Sequence, residues 1–124
     1  MNVQHLTPIL NVRDLEESFA WFAALGWTRD WDYGDPPDFG GVRSGDCDIF
    51  LCKDGQGARE TWVYLRLASP PDVDAVYARA QQSGLSVVSP PSDQPWNSRE
   101  ICIQHPDGHM LRIGALIESG RRTT

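Results

Sequence analysis

The sequence predicts an α+β domain made of two copies of a β-α-β-β-β unit, and three observations carry that expectation. A strand-like stretch, a helix closed by glycine and a run of further strand-like segments occur in the same order twice. A charged, glycine-rich stretch, Lys53-Asp54-Gly55-Gln56-Gly57, separates the copies near the middle of the chain. The 124 residues are about the length of one domain, and folding at that size buries roughly two-thirds of the unfolded surface.

The first strand is placed from Val3 to Leu10; Val3, Leu6 and Ile9 do not alternate cleanly, so the β-branched residues and Thr7 support it. A helix follows from Asp14, with Glu17 three residues later as a capping-box variant. Leu15, Phe19, Phe22 and Leu25 recur at helical spacing, and Gly26 ends the helix. Strands are then expected at Trp27 to Tyr33, Phe39 to Arg43 and Cys47 to Cys52. They are separated by a loop at Pro36-Pro37 and a turn at Ser44-Gly45-Asp46.

The second copy opens with a strand from Thr61 to Leu67. A helix capped by Asp72 follows, with Val73, Val76, Tyr77 and Ala80 on one face and Gly84 as its stop. Leu85 to Ser89, Arg99 to Gln104 and Met110 to Gly114 complete the set, the last two joined by a turn at His105-Pro106-Asp107-Gly108. The modules cover about residues 1–52 and 59–116 of a single domain spanning 1–124, and the tail after Glu118 is expected to fray. One helix per unit covers one sheet face, so paired units of this kind are expected to form a curved sheet whose other face lines a concave cleft.

The formal net charge of −6 opposes nucleic acid and anionic lipid as partners and favours a cationic one. No apolar run approaches the ~20 residues of a membrane span. The opening Met1 to His5 lacks a basic start followed by an apolar stretch, so the expected location is the cytoplasm. Cys47, Cys52 and Cys102 are odd in number and have no C-x-x-C spacing, which argues against both a disulfide framework and a zinc knuckle. The serines lack a G-x-S-x-G elbow, so no nucleophilic triad stands out.

Alternation in the fifth strand puts Trp62, Tyr64 and Arg66 on one face and Val63, Leu65 and Leu67 on the other. The aliphatic side is expected to meet the helix, leaving Trp62 and Tyr64 on the concave side, where rings can stack on flat heteroaromatic groups. Trp21 and Trp27 sit beside the first helix and are read as core. Asp30, Asp32, Asp35 and Asp38 crowd one strand and its loop, where they can attract a cation or simply keep the loop solvated. His5, His105 and His109 are read as surface and turn residues titrating freely rather than as a substitute metal set.

Several segments resemble the vicinal-oxygen-chelate superfamily, and its bleomycin-resistance branch most. They are Pro8-Ile9-Leu10-Asn11-Val12-Arg13-Asp14-Leu15, Trp21-Phe22 through Leu25-Gly26-Trp27, Arg29-Asp30-Trp31, Phe39-Gly40-Gly41-Val42 and Trp62-Val63-Tyr64. Gln94-Pro95-Trp96-Asn97-Ser98-Arg99-Glu100 and the closing His105-Pro106-Asp107-Gly108-His109-Met110-Leu111-Arg112 complete them. The resemblance covers nearly the whole chain and implies the paired-module fold.

Enzymes of that superfamily hold a divalent metal with four His or Glu side chains, because their chemistry needs a Lewis acid with open positions. By resemblance the four positions fall on Thr7, Phe50 (with Asp48 and Cys52 on its face), Tyr64 or Leu65, and Arg112, none a usual ligand. The resemblance therefore implies no metal, no cofactor and no chemistry. It implies instead a protein that binds and sequesters a flat, cationic, bleomycin-type antibiotic. The ligand-binding set it and the alternation point to is Asp30, Trp31, Phe39, Phe50, Trp62, Tyr64, Trp96, Arg99 and Arg112. It also implies a homodimer with the first strand exchanged near Pro8. The competing expectations are a metal-dependent isomerase, thiol transferase or dioxygenase of the same superfamily, and a dimer with no small-molecule role.

Overall fold

The computed structural model describes residues 1–117, so the expectation for the tail after Glu118 lies outside the described residues. The elements are β1 (Ile9–Val12), α1 (Leu15–Ala24), β2 (Thr28–Gly34), β3 (Pro37–Ser44) and β4 (Cys47–Lys53), then β5 (Trp62–Arg66), α2 (Pro70–Gln82), β6 (Ser86–Gln94), β7 (Ser98–Gln104) and β8 (Met110–Leu116). This is β-α-β-β-β twice. The strands form two four-stranded sheets, ordered β1-β4-β3-β2 and β5-β8-β7-β6. In each, the first strand runs parallel to the last and the remaining pairs are antiparallel. The chain divides into two compact units, Met1–Thr61 and Trp62–Thr124.

The helix signals are local, and both units use them alike. Asp14 caps α1 by accepting a 2.9 Å hydrogen bond from the Glu17 backbone N–H. Past the helix, Gly26 takes φ +95°; its N–H donates to Ala23 and that of Trp27 to Phe22, the paired bonds that close a helix at a left-handed residue. Gly84, at φ +70°, repeats the device after α2, with Leu85 donating to Ala80. The N-terminus of α2 differs from expectation: Ser69 is the cap and Asp72 lies in the first turn, accepting from the Ser69 hydroxyl at 2.9 Å. Pro70 explains the shift, since the first helical position has no use for an N–H and φ is already set.

The first strand is shorter and later than expected, Ile9–Val12 instead of Val3 to Leu10. Only Leu10 and Val12 alternate into the core, while Val3 and Leu6 stay exposed. Pro8 contributes its carbonyl to the Phe50 N–H at 2.9 Å and has no N–H to continue the ladder. The sixth strand is longer than expected and runs through Pro90 and Pro91. It is an edge strand with pairing irregularities at Ser89, so prolines cost it no ladder bond.

In the first unit Leu10, Val12, Val42, Ile49 and Leu51 are buried, as are Leu15, Phe19 and Phe22 of α1, which packs on β2, β3 and β4. Gly40 permits this contact, because a Cβ there would lie 2.6 Å from Phe19. In the second, Ile101, Ile103, Leu111 and Ile113 pack with Val73 and Ala80 of α2. Trp21 is buried, and the rings of Trp21 and Trp27 both meet Phe22 edge to face, with centroids 5.0 and 5.5 Å away. No helix among the described residues is long and apolar enough to cross a membrane.

One expectation is reversed in the β7–β8 turn, whose histidines are not free surface groups. His105 and His109 are fully buried with rings 5.4 Å apart, and Asp107 is buried with them while Pro106 stays exposed. The His105 ring Nδ1 accepts the Asp107 backbone N–H at 3.0 Å, so a polar ring is satisfied inside the turn itself.

Candidate functional site

Parity along β5, β7 and β8 decides what the second sheet presents on the face away from α2. Tyr64 pairs with Arg112, Arg112 with Cys102, and Gly114 lies between Arg66 and Glu100. The side chains of Trp62, Tyr64, Arg66, Ser98, Glu100, Met110 and Arg112 therefore share one surface. Glu100 is nearly buried there. Its carboxylate accepts from Arg112 Nε at 2.8 Å through one oxygen and from Trp96 Nε1 at 3.0 Å through the other. Burial pushes this carboxyl up, but the bonds from Arg112, Trp96 and Ser98 outweigh burial and hold it below the usual carboxylate range.

Arg112 does more than neutralise Glu100. Its guanidinium lies 5.4 Å from the Tyr64 ring centroid and 5.6 Å from that of Trp96, within cation–π reach of both. Gly114 makes the packing possible: a Cβ there would come within 2.7 Å of the Tyr64 hydroxyl and 2.8 Å of Glu100 Cγ. The Arg112, Glu100 and Trp96 side chains contribute to two adjacent hollows. One, of about 360 Å³, also takes in Trp62, Val88 and Met110. The other, of about 270 Å³, takes in Tyr64, Arg66 and Ser98.

Trp62 and Trp96 are 63% and 56% exposed. Fully burying a large apolar side chain is worth about 1.5 to 3 kcal/mol, so leaving both in water forgoes stability the fold could have had. Exposed rings grouped around hollows make this face the candidate site.

The first sheet presents a different set on the face away from α1. Trp31, Phe39 and Phe50 meet edge to face with centroids 5.1 to 5.7 Å apart, all half-buried. Gly41 gives the Trp31 indole its place, since any Cβ there would collide with it. Beside the rings runs a polar chain. Asp48 accepts from Thr7 Oγ1 at 2.8 Å and bonds His5 Nε2 at 2.8 Å, while Arg43 lies 3.5 Å from both Asp48 and Asp30. The bonds from His5 and Thr7 hold the Asp48 carboxyl below its usual range.

Of the expected site residues, Trp62, Tyr64, Trp96 and Arg112 come together on the second sheet, and Trp31, Phe39 and Phe50 on the first. Asp30 is exposed and ion-paired with Arg43. Arg99 does not join either group: one residue out of phase with Glu100, it binds Asp74 of α2 at 2.9 Å and Asp93 at 2.8 Å. Glu100, absent from the expected set, holds the second group together, and the parity of β7 relative to Arg99 was the signal for it. The acidic excess is one-sided, with 5 basic and 11 acidic residues in 1–61 against 6 and 6 in 62–124.

The positions that the resemblance assigns to metal ligands do not fit a divalent cation. Arg112 is a permanent cation and Phe50 an aromatic ring packed on Trp31. Tyr64 is stacked under a guanidinium, and the Thr7 hydroxyl donates to Asp48. Glu100, the carboxylate nearest to them in the second sheet, is already bonded at both oxygens. Among the described residues no three His, Cys, Asp or Glu side chains group as a metal set. Calorimetric titration of chelator-treated protein with Zn²⁺, Mn²⁺ or Fe²⁺ is expected to show no saturable micromolar site; one tight equivalent per chain would contradict this.

Comparison with known proteins agrees with this architecture. Residues 2–113 match the family described as Glyoxalase/Bleomycin resistance protein/Dioxygenase superfamily. A crystal structure of a glyoxalase/bleomycin resistance protein/dioxygenase from Nocardioides is similar at 26% identity and TM-score 0.72, over 96% of this chain and 89% of that one. A bleomycin-binding protein solved in complex with bleomycin shares the fold at 22% identity and TM-score 0.71, over 91% and 98%. So does a lactoylglutathione lyase from Agrobacterium tumefaciens at 14% identity and TM-score 0.78, over 92% and 94%. No curated protein matches. With its paired modules and a family match over residues 2–113, the chain belongs to the glyoxalase/bleomycin resistance protein/dioxygenase superfamily.

Proposed function

We propose that this protein binds and sequesters a flat, aromatic small molecule, of the kind represented by bleomycin-type antibiotics, without transforming it. The observation that carries the reading is the Arg112–Glu100 pair beneath the exposed rings of Trp62, Tyr64 and Trp96, a surface ordered for stacking. Offset stacking adds about 0.5 to 1.5 kcal/mol per ring pair beyond burial, so two or three such rings give useful affinity without any chemistry. Sequestration then works by mass action, because every bound molecule is withdrawn from the free pool.

The acidic excess of the chain supports a cationic ligand. Asp35 and Asp38 stand exposed beside Trp31 and Phe39 in sequence, and an excess of carboxylates raises the encounter rate of a cation. A cytoplasmic protein of this kind would meet its ligand after entry into the cell. The metal-dependent isomerase, thiol-transferase and dioxygenase readings rest on the shared fold, which hosts unrelated activities.

The homodimer belongs to the same proposal. Val3, Leu6 and Ile9 at the start of the chain and Tyr33 on β2 are apolar and exposed, surface that a second copy would cover. Sedimentation equilibrium at micromolar concentration is expected to return twice the chain mass, and a single-chain mass would remove the dimer from the proposal.

For the binding itself, titration with bleomycin and other flat cationic antibiotics, read by tryptophan fluorescence, is expected to saturate at micromolar ligand. Trp96→Ala or Trp62→Ala should weaken it about 3- to 10-fold. Absence of any saturable change across such a panel counts against sequestration.

A further inference from the structure

We infer that the hollow beside Tyr64, Arg66 and Ser98 takes a carboxylate group carried by the flat ligand; the inference rests on the binding function proposed above and names a chemical requirement of its ligand. The hollow is polar for its size. At about 270 Å³ it falls below the range of roughly 300 to 1,000 Å³ typical of whole drug-sized ligands, so it suits one substituent or one ring.

Two cationic side chains in it, Arg66 and Arg112, have unused hydrogen-bonding capacity. Ser98 is not one of them: it is 3% exposed, and its buried Oγ lies against the Glu100 carboxylate, which it helps to hold in the charged form. Arg66 has no hydrogen bond or ion pair among the described residues; its guanidinium lies 5.6 Å from the Tyr64 ring centroid and is otherwise open to solvent. Arg112 gives Glu100 only its Nε, so its terminal nitrogens remain available.

Charge decides the class of ligand group. The hollow is lined by two guanidiniums and one carboxylate, and that carboxylate is already bonded to Arg112 and Trp96, which leaves Arg66 unopposed. A neutral amide would leave the charge of Arg66 unmatched, and a cation would be repelled. A planar carboxylate matches the flat guanidinium fork and continues the plane of a ring lying against Tyr64 and Trp96. Gly114 keeps the floor clear, because a Cβ there would stand 2.7 Å from the Tyr64 hydroxyl and 3.1 Å from Ser98 Oγ.

The test compares 2-naphthoate with its neutral isostere 2-naphthamide, titrated into the full chain and followed by the Trp96 indole N–H resonance. Naphthoate is expected to bind at least about tenfold more tightly, by a charge-assisted bond the amide cannot make, with the advantage shrinking as salt is added. Arg66→Gln should abolish the advantage and leave the amide unchanged, whereas Arg66→Lys should keep part of it. Arg66 is exposed and makes no bond, so these variants keep the fold. Equal affinity for the two compounds, or an advantage indifferent to Arg66→Gln, overturns the carboxylate assignment while the stacking function stands. If neither compound moves the resonance at millimolar concentration, the stacking function fails and takes this inference with it.

Discussion

A carboxylate that is almost out of water must be paired, because an unpartnered buried ion costs several kcal/mol. Glu100 meets that demand by taking Arg112 on one oxygen and the Trp96 indole on the other, and much of the second sheet's outer face follows from this. Trp96 is oriented by its own hydrogen bond, so its ring is presented and not left to rotate. Arg112, tethered through Nε, spreads its guanidinium across Tyr64 and Trp96. Gly114 is required for the same reason, since Glu100, Tyr64 and Ser98 all crowd the space above it. Rings and cations are thereby held in a fixed arrangement by bonds within the sheet face itself.

The two modules use one plan for different ends. Each begins with a short strand parallel to its last, and each closes its helix with the same pair of backbone bonds around a left-handed glycine. Away from the helix, however, the first sheet carries three interlocked rings and a chain of His5, Thr7, Asp48, Arg43 and Asp30. The second carries exposed rings around an ion pair. The first holds the whole acidic excess, and the second is balanced.

What could be read from the chain without coordinates was mainly what depends on neighbours in sequence. Helix stops at Gly26 and Gly84, the turn at Gly45 and the doubling of the unit are local signals, and they sit where the residues place them. Alternation likewise put Trp62, Tyr64 and Arg66 on one face. Arg112 joined them because β5 and β8 pair in the register Tyr64 to Arg112. The misses involve long-range partners. Arg99 carries the more conspicuous charge, yet a one-residue difference in parity sends it to Asp74 of α2 and gives the outer face to Glu100. His105 and His109 look like turn residues and are, but alternate side chains of that turn point inward. The first strand was placed too early because β-branched residues before Pro8 suggest extended chain, whereas only Leu10 and Val12 have a core to enter.

The pairing at Glu100 is open to direct measurement by carbon NMR titration of its carboxyl in the natural protein and in Arg112→Gln. With Arg112 present, the carboxyl should titrate below its ordinary value of 4.5, since the bonds from Arg112 and Trp96 favour the charged form. Without Arg112, burial is opposed only by the bonds from Trp96 and Ser98, and the midpoint should move upward. A carboxyl that titrates at the same pH in both proteins would mean that Arg112 does not hold Glu100, and the surface built on that bond would have no anchor.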